Sequence, residues 1–228
     1  MASRADEVRA MFTRIARRYD VMNALMTGGR HHAWRAATAR ATVEAPAGPI
    51  LDLATGTADL ALAIGALDPR RVVVGADFSE GMLGEARRKR GAARVALAAA
   101  DALRLPFRDG AFAAVTSAFL LRNLEDLRSG LAEMRRVTRA GGRVVTLDIT
   151  RLTTPVWSSV FALYFHGVVP LVGAAVAGDR AAYTYLPRSV DRFLTPAELA
   201  ALMEEVGLRQ VRHRTFGLGT VALHVGVR

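Results

Sequence analysis

The sequence predicts an open, doubly wound α/β fold with a mostly parallel sheet. Short apolar runs recur along the chain, at 49–54, 71–77, 94–101, 112–119 and 142–149. Such runs are typical of strands that are buried on both faces, as in a parallel sheet. Helical spacing of apolar residues separates most of them, over 58–67, 79–91 and 126–138. Strands that alternate with helices indicate a sheet covered by helices on both faces.

Helical periodicity also precedes the first predicted strand. Over 5–44 one face collects apolar side chains, among them Val8, Met11, Phe12, Ile15 and Tyr19. The segment Met26–His32, which contains two glycines, interrupts this pattern. We therefore expect an N-terminal helical cap over 1–45.

The chain ends with a capped helix and two further strands. Thr195 is a good N-cap, Pro196 suits the first helical position, and Glu198 completes a capping box. Two apolar runs follow, near 208–216 and 219–227. They bring the sheet to seven strands, and their hairpin-like spacing predicts one antiparallel edge. We expect a single domain over 1–228.

Composition excludes several kinds of protein. Of the 228 residues, 51% are hydrophobic, which argues against disorder. No cysteine is present, so a disulfide, a thiolate metal site or a cysteine nucleophile is excluded. The N-terminus lacks the apolar core of a signal peptide, and we expect a cytoplasmic protein. The net charge of +10 favours contact with phosphates, of nucleic acid or of anionic lipid.

An uncharged run extends from Leu152 to Gly178. It is long enough to cross a bilayer, which takes roughly 20 apolar residues. Gly167 and Pro170 break it, however, and its large aromatic residues share one helical face: Trp157, Phe161, Tyr164 and Phe165. We interpret the run as a bent helical lid within a substrate-covering insertion over 151–193. Its apolar face would then touch the membrane surface peripherally; the alternative is that the run only packs on the sheet.

The loop after the first strand indicates a ligand site. In an open α/β sheet, ligands bind beyond the carboxyl ends of the strands. Gly56 in this loop permits a ligand to approach the backbone closely. The dinucleotide fingerprint Gly-x-Gly-x-x-Gly is incomplete, because Ala58 and Ala61 replace two of its glycines. A ligand without a pyrophosphate therefore fits this loop better.

Carboxylates follow three successive strands. Asp77 ends the second strand, 21 residues after Gly56, which is the spacing of a carboxylate that accepts ribose hydroxyls. Asp52 would orient the loop or meet a ligand amine, and Asp101 would reach an adenine amine. Together the three predict an S-adenosylmethionine site. A nicotinamide enzyme stays open as an alternative at this point.

Features of other methyltransferase classes are missing from the chain. Cytosine C5 methylation needs a cysteine nucleophile, and "SAFLLRNLED" lacks the Pro-Pro turn typical of enzymes that methylate nucleic-acid amines. Asp148 stands nearly alone after the fifth strand, so we expect no metal. Aromatic residues are only 7% of the chain and cluster in the uncharged run, so we expect no nucleic-acid partner, although a basic RNA-binding protein remains an alternative.

From about residue 8 onward, the chain resembles the ubiquinone/menaquinone biosynthesis C-methyltransferases. The resemblance rests on five stretches: "YDVMNALMTGGRHHAW" (19–34), "LLRNLED" (120–126), "RVTRAGGRVVTLDIT" (136–150), "YTYLPRSV" (183–190) and "GTVALHVG" (219–226). It implies a Rossmann-like class I S-adenosylmethionine-dependent methyltransferase fold. It also implies methylation of a ring carbon of a prenylated quinol, demethylmenaquinol above all. The ubiquinone precursor and another lipid or natural product are the alternatives, and a homodimer stays open.

The resemblance also assigns residues. It implies that Thr57, Asp77, Asp101 and Ala102 contact the cofactor, with Gly56 shaping the loop.

For the reaction itself, Arg122 is expected to stabilise the quinol oxygen, beside Asn123, while Tyr19 and His31 close over the site. The chain departs from the family pattern near the expected rim of the site, at Ala118, Leu120, Asp148 and Thr150.

Overall fold

The computed structural model describes residues 4–152, 163, 167, 185, 187 and 189–228. Within these residues, seven strands form one sheet in the order β3-β2-β1-β4-β5-β7-β6. The strands are β1 Ile50–Leu53, β2 Val73–Asp77, β3 Val95–Ala99, β4 Phe112–Ala118, β5 Thr138–Ile149, β6 Arg209–Phe216 and β7 Val221–Val227. The helices are α1 Arg4–Thr27, α2 Arg30–Val43, α3 Asp59–Leu67, α4 Glu80–Arg88, α5 Leu127–Val137 and α6 Pro196–Glu205.

The sheet is mostly parallel, as predicted. Strands β1 to β5 pair in parallel, whereas β7 runs antiparallel to both β5 and β6. The antiparallel strand is therefore not the edge strand that the sequence suggested. The edge is β6, and β7 returns from it through a tight turn at Gly217–Gly219 into the space beside β5.

Helices cover both faces of the sheet, because successive strand residues point to opposite sides. On one side Ile50 and Ala114 pack with Ala39 of α2 and Ile64 of α3. On the other side their neighbours along β1 and β4 pack with α5 and α6, in a cluster that includes Leu51, Val115, Met134 and Leu199. The core is thus two apolar layers with the sheet between them.

The helix boundaries follow the local signals. Gly28 and Gly29 adopt left-handed backbone conformations, with φ of 55° and 77°, and separate α1 from α2 as predicted. Ser79 and Asp126 cap α4 and α5 through their side-chain oxygens. The capping box predicted at Thr195 and Glu198 is present and begins α6.

Helix α1 packs against α4 at a close approach. The hydroxyls of Thr13 and Ser79 are 2.9 Å apart and share a hydrogen bond. A Cβ atom built on Gly81 would lie 2.8 Å from Thr13 Cγ2 and 3.2 Å from Thr13 Cα. Only glycine permits this contact without moving a helix. The contact fixes α1 beside the carboxyl end of β2.

Of the uncharged run, Leu152, Leu163 and Gly167 are among the described residues; its aromatic stripe and the break at Pro170 lie outside them. None of the helices in the described ranges has both the length and the apolar character that crossing a bilayer demands.

Gly81→Ala should separate α1 from α4, because the added methyl group meets Thr13, including its backbone. Overpacking of this kind typically lowers the free energy of unfolding by about 1–3 kcal/mol. Gly84→Ala is the matched control in the same helix, since a Cβ there meets nothing within 4 Å. It should raise stability by up to about 1 kcal/mol through helix propensity. Urea unfolding of both variants makes the comparison, and equal stabilities would contradict the close contact.

Candidate active site

A cavity of about 330 Å³ opens at the carboxyl edge of the sheet. Its walls come from the segments that follow β1, β2, β3 and β4, and helix α1 closes one side. Polar and charged groups enter it from separate elements, among them Tyr19, Asp77, Asp101 and Asn123. Its volume lies within the range of small-molecule sites, which is about 300–1,000 Å³.

The loop after β1 forms the floor of the cavity. Gly56 has a φ of 57°, and a Cβ atom there would meet nothing within 4 Å, so the backbone faces open space. Ala54 and Ala58 on either side also have left-handed backbone conformations, with φ of 54° and 64°. Non-glycine residues in this region carry strain, which is concentrated at functional sites. The loop is therefore held in a shape that exposes its backbone to a ligand.

Asp77 holds this loop from the end of β2. Its Oδ2 accepts the backbone N–H of Gly56 at 2.8 Å, and its Oδ1 accepts that of Ser79 at 2.8 Å. Burial raises the pKa of Asp77, and these hydrogen bonds oppose the shift. A carboxylate has about four acceptor positions, so acceptor capacity remains for a ligand hydroxyl beside the backbone donors of Gly56, Phe78 and Ser79.

Asp101 and Ala102, which were expected to contact the cofactor, follow β3 and line the same cavity. Asp101 Oδ1 accepts the backbone N–H of Leu103 at 2.9 Å, which fixes the carboxylate against the wall. Its exposed side chain keeps acceptor capacity for an amine.

Asp52 lies beneath the loop and is not among the residues that line the cavity. Its Oδ2 accepts the Thr55 hydroxyl at 2.6 Å and the Ala61 N–H at 3.1 Å. It is fully buried, and burial raises its pKa to about 7. Of the two roles predicted for Asp52, orienting the loop is the one that these contacts support; contact with a ligand amine is not.

Thr57 was expected to contact the cofactor, but its hydroxyl is turned elsewhere. It donates to Asp20 Oδ1 at 2.8 Å and accepts from Lys89 Nζ at 2.8 Å. Thr57 is buried and is absent from the cavity lining. The partners come from α1 and from the end of α4, which the local sequence around Thr57 could not indicate.

Arg122 was expected at the quinol oxygen, and the structure places it behind the cavity wall instead. Its Nη1 donates to Asp148 Oδ1 at 2.6 Å, in an ion pair whose side chains are 6% and 0% exposed. The same nitrogen donates to the Phe119 carbonyl at 2.9 Å. A carboxylate buried inside β5 requires a countercharge, which explains this orientation. Arg122 is thus a positioning residue for the segment after β4.

Asn123 faces the cavity, as predicted. Its Nδ2 donates to the Phe119 carbonyl at 3.0 Å, and its Oδ1 accepts from Tyr185 Oη at 3.3 Å. Phe119 itself has a φ of 64°, a strained conformation that the two hydrogen bonds to its carbonyl stabilise. Tyr19 lines the cavity from α1, next to Phe12.

His31 was expected to close over the site, but it lies between the N-terminal helices. It is 2% exposed, and its Nδ1 shares a hydrogen bond of 2.8 Å with the Thr27 hydroxyl. Burial, with the nearby Arg35, lowers its pKa to about 4, so the ring is neutral at neutral pH. His31 does not appear among the cavity-lining residues and packs the junction of α1 and α2.

Comparison with known proteins identifies the family. The sequence profile of the ubiE/COQ5 methyltransferase family matches residues 1–228. The chain belongs to this family. It is 40% identical to the demethylmenaquinone methyltransferase of Roseiflexus castenholzii, over 99% of this chain and 94% of that protein. It is 44% identical to the demethylmenaquinone methyltransferase of Thermus thermophilus, over 96% of this chain and all (100%) of that protein. It is therefore an S-adenosylmethionine-dependent C-methyltransferase.

Solved structures agree on the fold. An S-adenosylmethionine-dependent methyltransferase from Thermotoga maritima superposes with a TM-score of 0.65 at 18% identity, covering 96% of this chain and 98% of that chain. The YcgJ protein of Bacillus subtilis gives a TM-score of 0.60 at 18% identity, with 87% and 99% covered. The predicted class I methyltransferase fold is confirmed.

The cavity of this methyltransferase fits S-adenosylmethionine. The free acceptor positions of Asp77 suit two vicinal hydroxyls, and the exposed backbone at Gly56 leaves room for the amino-acid end. Ala102 and Leu103 beside Asp101 supply an apolar wall for a base. Ala58 and Ala61 supply no glycine for a pyrophosphate, which disfavours the nicotinamide alternative.

Sequence reasoning missed Phe119, which lines the cavity, and three residues that bind side chains in or beside it: Lys89, Asp148 and Tyr185. Asp148 was considered only as a metal ligand and was too isolated for that role, yet it forms the buried ion pair with Arg122. An uncompensated acidic residue inside an apolar strand is itself a signal, because buried carboxylates need a partner. The positive φ of Phe119 has no counterpart in the sequence pattern.

Asp77→Asn should weaken binding of S-adenosylhomocysteine. The asparagine side chain carries no charge. Its NH2 group cannot accept a hydrogen bond from the backbone N–H or the ribose hydroxyl that it faces. Hydrogen bonds to a charged group are worth about 1.5–3 kcal/mol, so we expect a loss of roughly 10- to 100-fold in affinity. Isothermal titration calorimetry measures it. Asp126→Asn is the matched control, since asparagine caps a helix as well as aspartate, and its affinity should be unchanged.

The wild-type affinity should also depend on pH. Burial raises the pKa of Asp77, and ribose donors bind its ionised form, so affinity should fall as pH drops through that raised pKa. The affinity of Asp77→Asn should not fall over the same pH range. Parallel pH profiles of the two proteins would contradict the role of Asp77.

Asp148→Asn should destabilise the protein by about 3–5 kcal/mol, because it leaves the buried Arg122 guanidinium without a countercharge. Urea unfolding measures the loss. The double variant Arg122→Met/Asp148→Leu, which removes both charges, should recover most of the stability. If Asp148→Asn lowers the free energy of unfolding by less than about 1 kcal/mol, the ion pair does not hold the segment after β4 in place.

Proposed function

We propose that this methyltransferase transfers a methyl group to a ring carbon of a prenylated quinol, with demethylmenaquinol as the acceptor. One observation carries the proposal: the chain matches relatives named demethylmenaquinone methyltransferase over nearly its whole length, 99% for the protein of Roseiflexus castenholzii. The geometry of the cavity supports it, since the cavity has two chemically different sides.

One side of the cavity suits the methyl donor and the other suits the acceptor. In the strand order, β3 and β2 lie on one side of β1 and β4 lies on the other. Asp77 and Asp101 therefore stand on the opposite side from the segment after β4, which carries Phe119, Leu120 and Asn123. Aromatic and aliphatic groups with one amide suit a flat, oxygenated ring.

The chemistry requires orientation above all. Bound S-adenosylmethionine supplies an electrophilic methyl group; a carbon–carbon bond forms as the sulfur–carbon bond breaks, and the ring carbon loses a proton. Ionisation of a ring hydroxyl makes that carbon nucleophilic, so donors near the oxygen promote the reaction. Asn123 has a second amide N–H beyond the one given to Phe119, and Tyr19 lines the same space. We assign both to holding the acceptor oxygen, while the Arg122–Asp148 pair fixes their frame.

The ubiquinone precursor is a second candidate acceptor. The ubiquinone/menaquinone biosynthesis C-methyltransferase UbiE of Desulfotalea psychrophila is 41% identical to this chain, over 99% of this chain and 92% of that protein. The name of that relative covers both quinones, so the acceptor assay must include both.

We further propose that the segment 151–193 covers the acceptor and touches the membrane surface. Leu163, in a helix of this segment, is 77% exposed, which suits contact with a lipid surface or a prenyl chain.

The test is direct. The purified protein is incubated with methyl-labelled S-adenosylmethionine and either demethylmenaquinol or the ubiquinone precursor, each in reduced form. Label should enter demethylmenaquinol in preference. Predominant labelling of the benzoquinol would favour the second candidate, and labelling of neither would overturn the proposed function.

Asn123→Leu tests the acceptor role: it keeps the side-chain size but also removes the hydrogen bond to the Phe119 carbonyl, so binding of S-adenosylhomocysteine is measured beside turnover to check that the cavity is intact. Turnover should fall by at least about tenfold, as when a positioned hydrogen-bond donor is removed, while the Kd for S-adenosylhomocysteine stays within about twofold. Normal turnover in this variant would contradict the assigned role.

A further inference from the structure

Five polar residues from five separate segments meet beside the Gly56 loop. They are Asp20 of α1, Arg35 of α2, Thr57 of the loop, Asp59 of α3 and Lys89 directly after α4. We call this group the Lys89 cluster. None of its members lines the cavity as the described residues form it, so the cluster has no direct part in the site described above.

Lys89 is the centre of the cluster. Its ammonium lies 2.7 Å from Asp20 Oδ2 and 2.8 Å from Thr57 Oγ1, and it also contacts Asp59 Oδ1. An ammonium has three protons, so these three acceptors satisfy it. The Thr57 hydroxyl in turn donates to Asp20 Oδ1 at 2.8 Å, which closes a ring of three residues. On the far side, Arg35 Nη1 donates to Asp59 Oδ2 at 2.6 Å.

The cluster joins two walls of the cavity. Asp20 is the neighbour of Tyr19, which lines the cavity from α1, and Thr57 is the neighbour of Gly56, which forms its floor. The ring of Lys89, Asp20 and Thr57 therefore fixes the distance between α1 and the floor. A shift of α1 away from α4 would enlarge the cavity on the side of Tyr19.

The charged side chains of the Lys89 cluster are partly buried, which strengthens their attraction. The side chains of Lys89 and Asp59 are 23% and 26% exposed, that of Arg35 is 9% exposed, and that of Asp20, at the end of the bridge, is 40% exposed. An isolated, exposed ion pair contributes little to stability, but a partly buried network of several charges is screened less by solvent. Other attachments of α1 include the Thr13–Ser79 hydrogen bond, the Arg17–Glu85 ion pair and apolar packing around Ile15 and Met22, and these three do not involve the Gly56 loop.

We propose that Lys89 is a positioning residue for the methyl donor: by bridging Asp20 to Thr57, it holds α1 against the Gly56 loop and keeps the donor cavity closed. Removal of the ammonium leaves the Thr57–Asp20 hydrogen bond to hold α1 against the Gly56 loop without its charged partner, and this weakens the attachment. A protein that is closed for a fraction f of the time binds its ligand with an apparent Kd raised by 1/f. If f falls to about one tenth, the Kd for the donor rises about tenfold.

The experiment compares Lys89→Met with Arg87→Met. Methionine keeps the length of the lysine stem and removes its charge. Arg87 is exposed, lies two positions earlier and takes no part in the cluster, so Arg87→Met matches the change in net charge. Binding of S-adenosylhomocysteine is measured by calorimetry without any acceptor, so an error in the proposed acceptor leaves the result interpretable. Limited trypsin digestion reports the docking of α1, which contains Arg14, Arg17 and Arg18.

Lys89→Met should raise the Kd about tenfold and expose α1 to trypsin, and bound S-adenosylhomocysteine should restore part of the protection. Arg87→Met should match the wild type within about twofold in Kd. A Kd for Lys89→Met within about twofold of the wild type would overturn the proposal. So would a raised Kd with unchanged digestion of α1, because Lys89 would then act on the donor without moving the helix.

A second pair of variants keeps the test informative if Lys89→Met folds poorly. Asp20→Asn removes the charge that attracts Lys89 and leaves one acceptor oxygen where the bridge uses two, whereas Asp59→Asn leaves the ring of Lys89, Asp20 and Thr57 in place. Asp20→Asn should reproduce both effects, and Asp59→Asn should leave α1 protected. Equal exposure of α1 in the two variants would show that the cluster acts only as general packing and would overturn the proposal.

Discussion

The rest of the site depends on the hydrogen bonds that the buried carboxylate of Asp77 accepts. Through one oxygen it holds Gly56 of the first loop, and through the other it holds Ser79, the N-cap of α4. Ser79 in turn shares a hydrogen bond with Thr13 of α1. One side chain at the end of β2 therefore sets the floor of the cavity and, through α4, the helix that closes it. A carboxylate buried at this cost needs hydrogen-bond donors, and the backbone N–H groups of Gly56 and Ser79 supply two of them.

Strained backbone conformations and polar groups are concentrated at the carboxyl edge of the sheet. Ala54, Ala58 and Phe119 have positive φ values, and each lies in a segment that borders the cavity. Such conformations persist only when their surroundings fix them. Asp52 fixes the first loop from below, and Arg122 and Asn123 fix Phe119 through its carbonyl. Asp52 and Arg122 thus keep this edge rigid from outside the cavity, whereas Asn123 both fixes Phe119 and faces the cavity.

The strands, their parallel pairing and the residues at the strand ends were predictable because each depends on local pattern. A buried strand has an apolar run, and the spacing of 21 residues between Gly56 and Asp77 reflects one βαβ unit. The direction of a side chain could not be predicted where its hydrogen-bond partner lies far away in the sequence. Arg122 turns to Asp148, 26 residues away, and Thr57 turns to Asp20, 37 residues away. The place of β7 between β5 and β6 is likewise a property of tertiary packing, which the hairpin spacing left open.

The central claim is that the cavity between the Gly56 loop and α1 holds the methyl donor, with Asp77 on its ribose. The crystal structure of the S-adenosylhomocysteine complex tests this most directly. The account predicts both ribose hydroxyls within hydrogen-bond distance of the Asp77 carboxylate, the base beside Ala102 and Leu103, and α1 closed over the ligand with the Lys89–Asp20 contact intact. A nucleoside bound elsewhere on the sheet edge, or a ribose that does not contact Asp77, would contradict it.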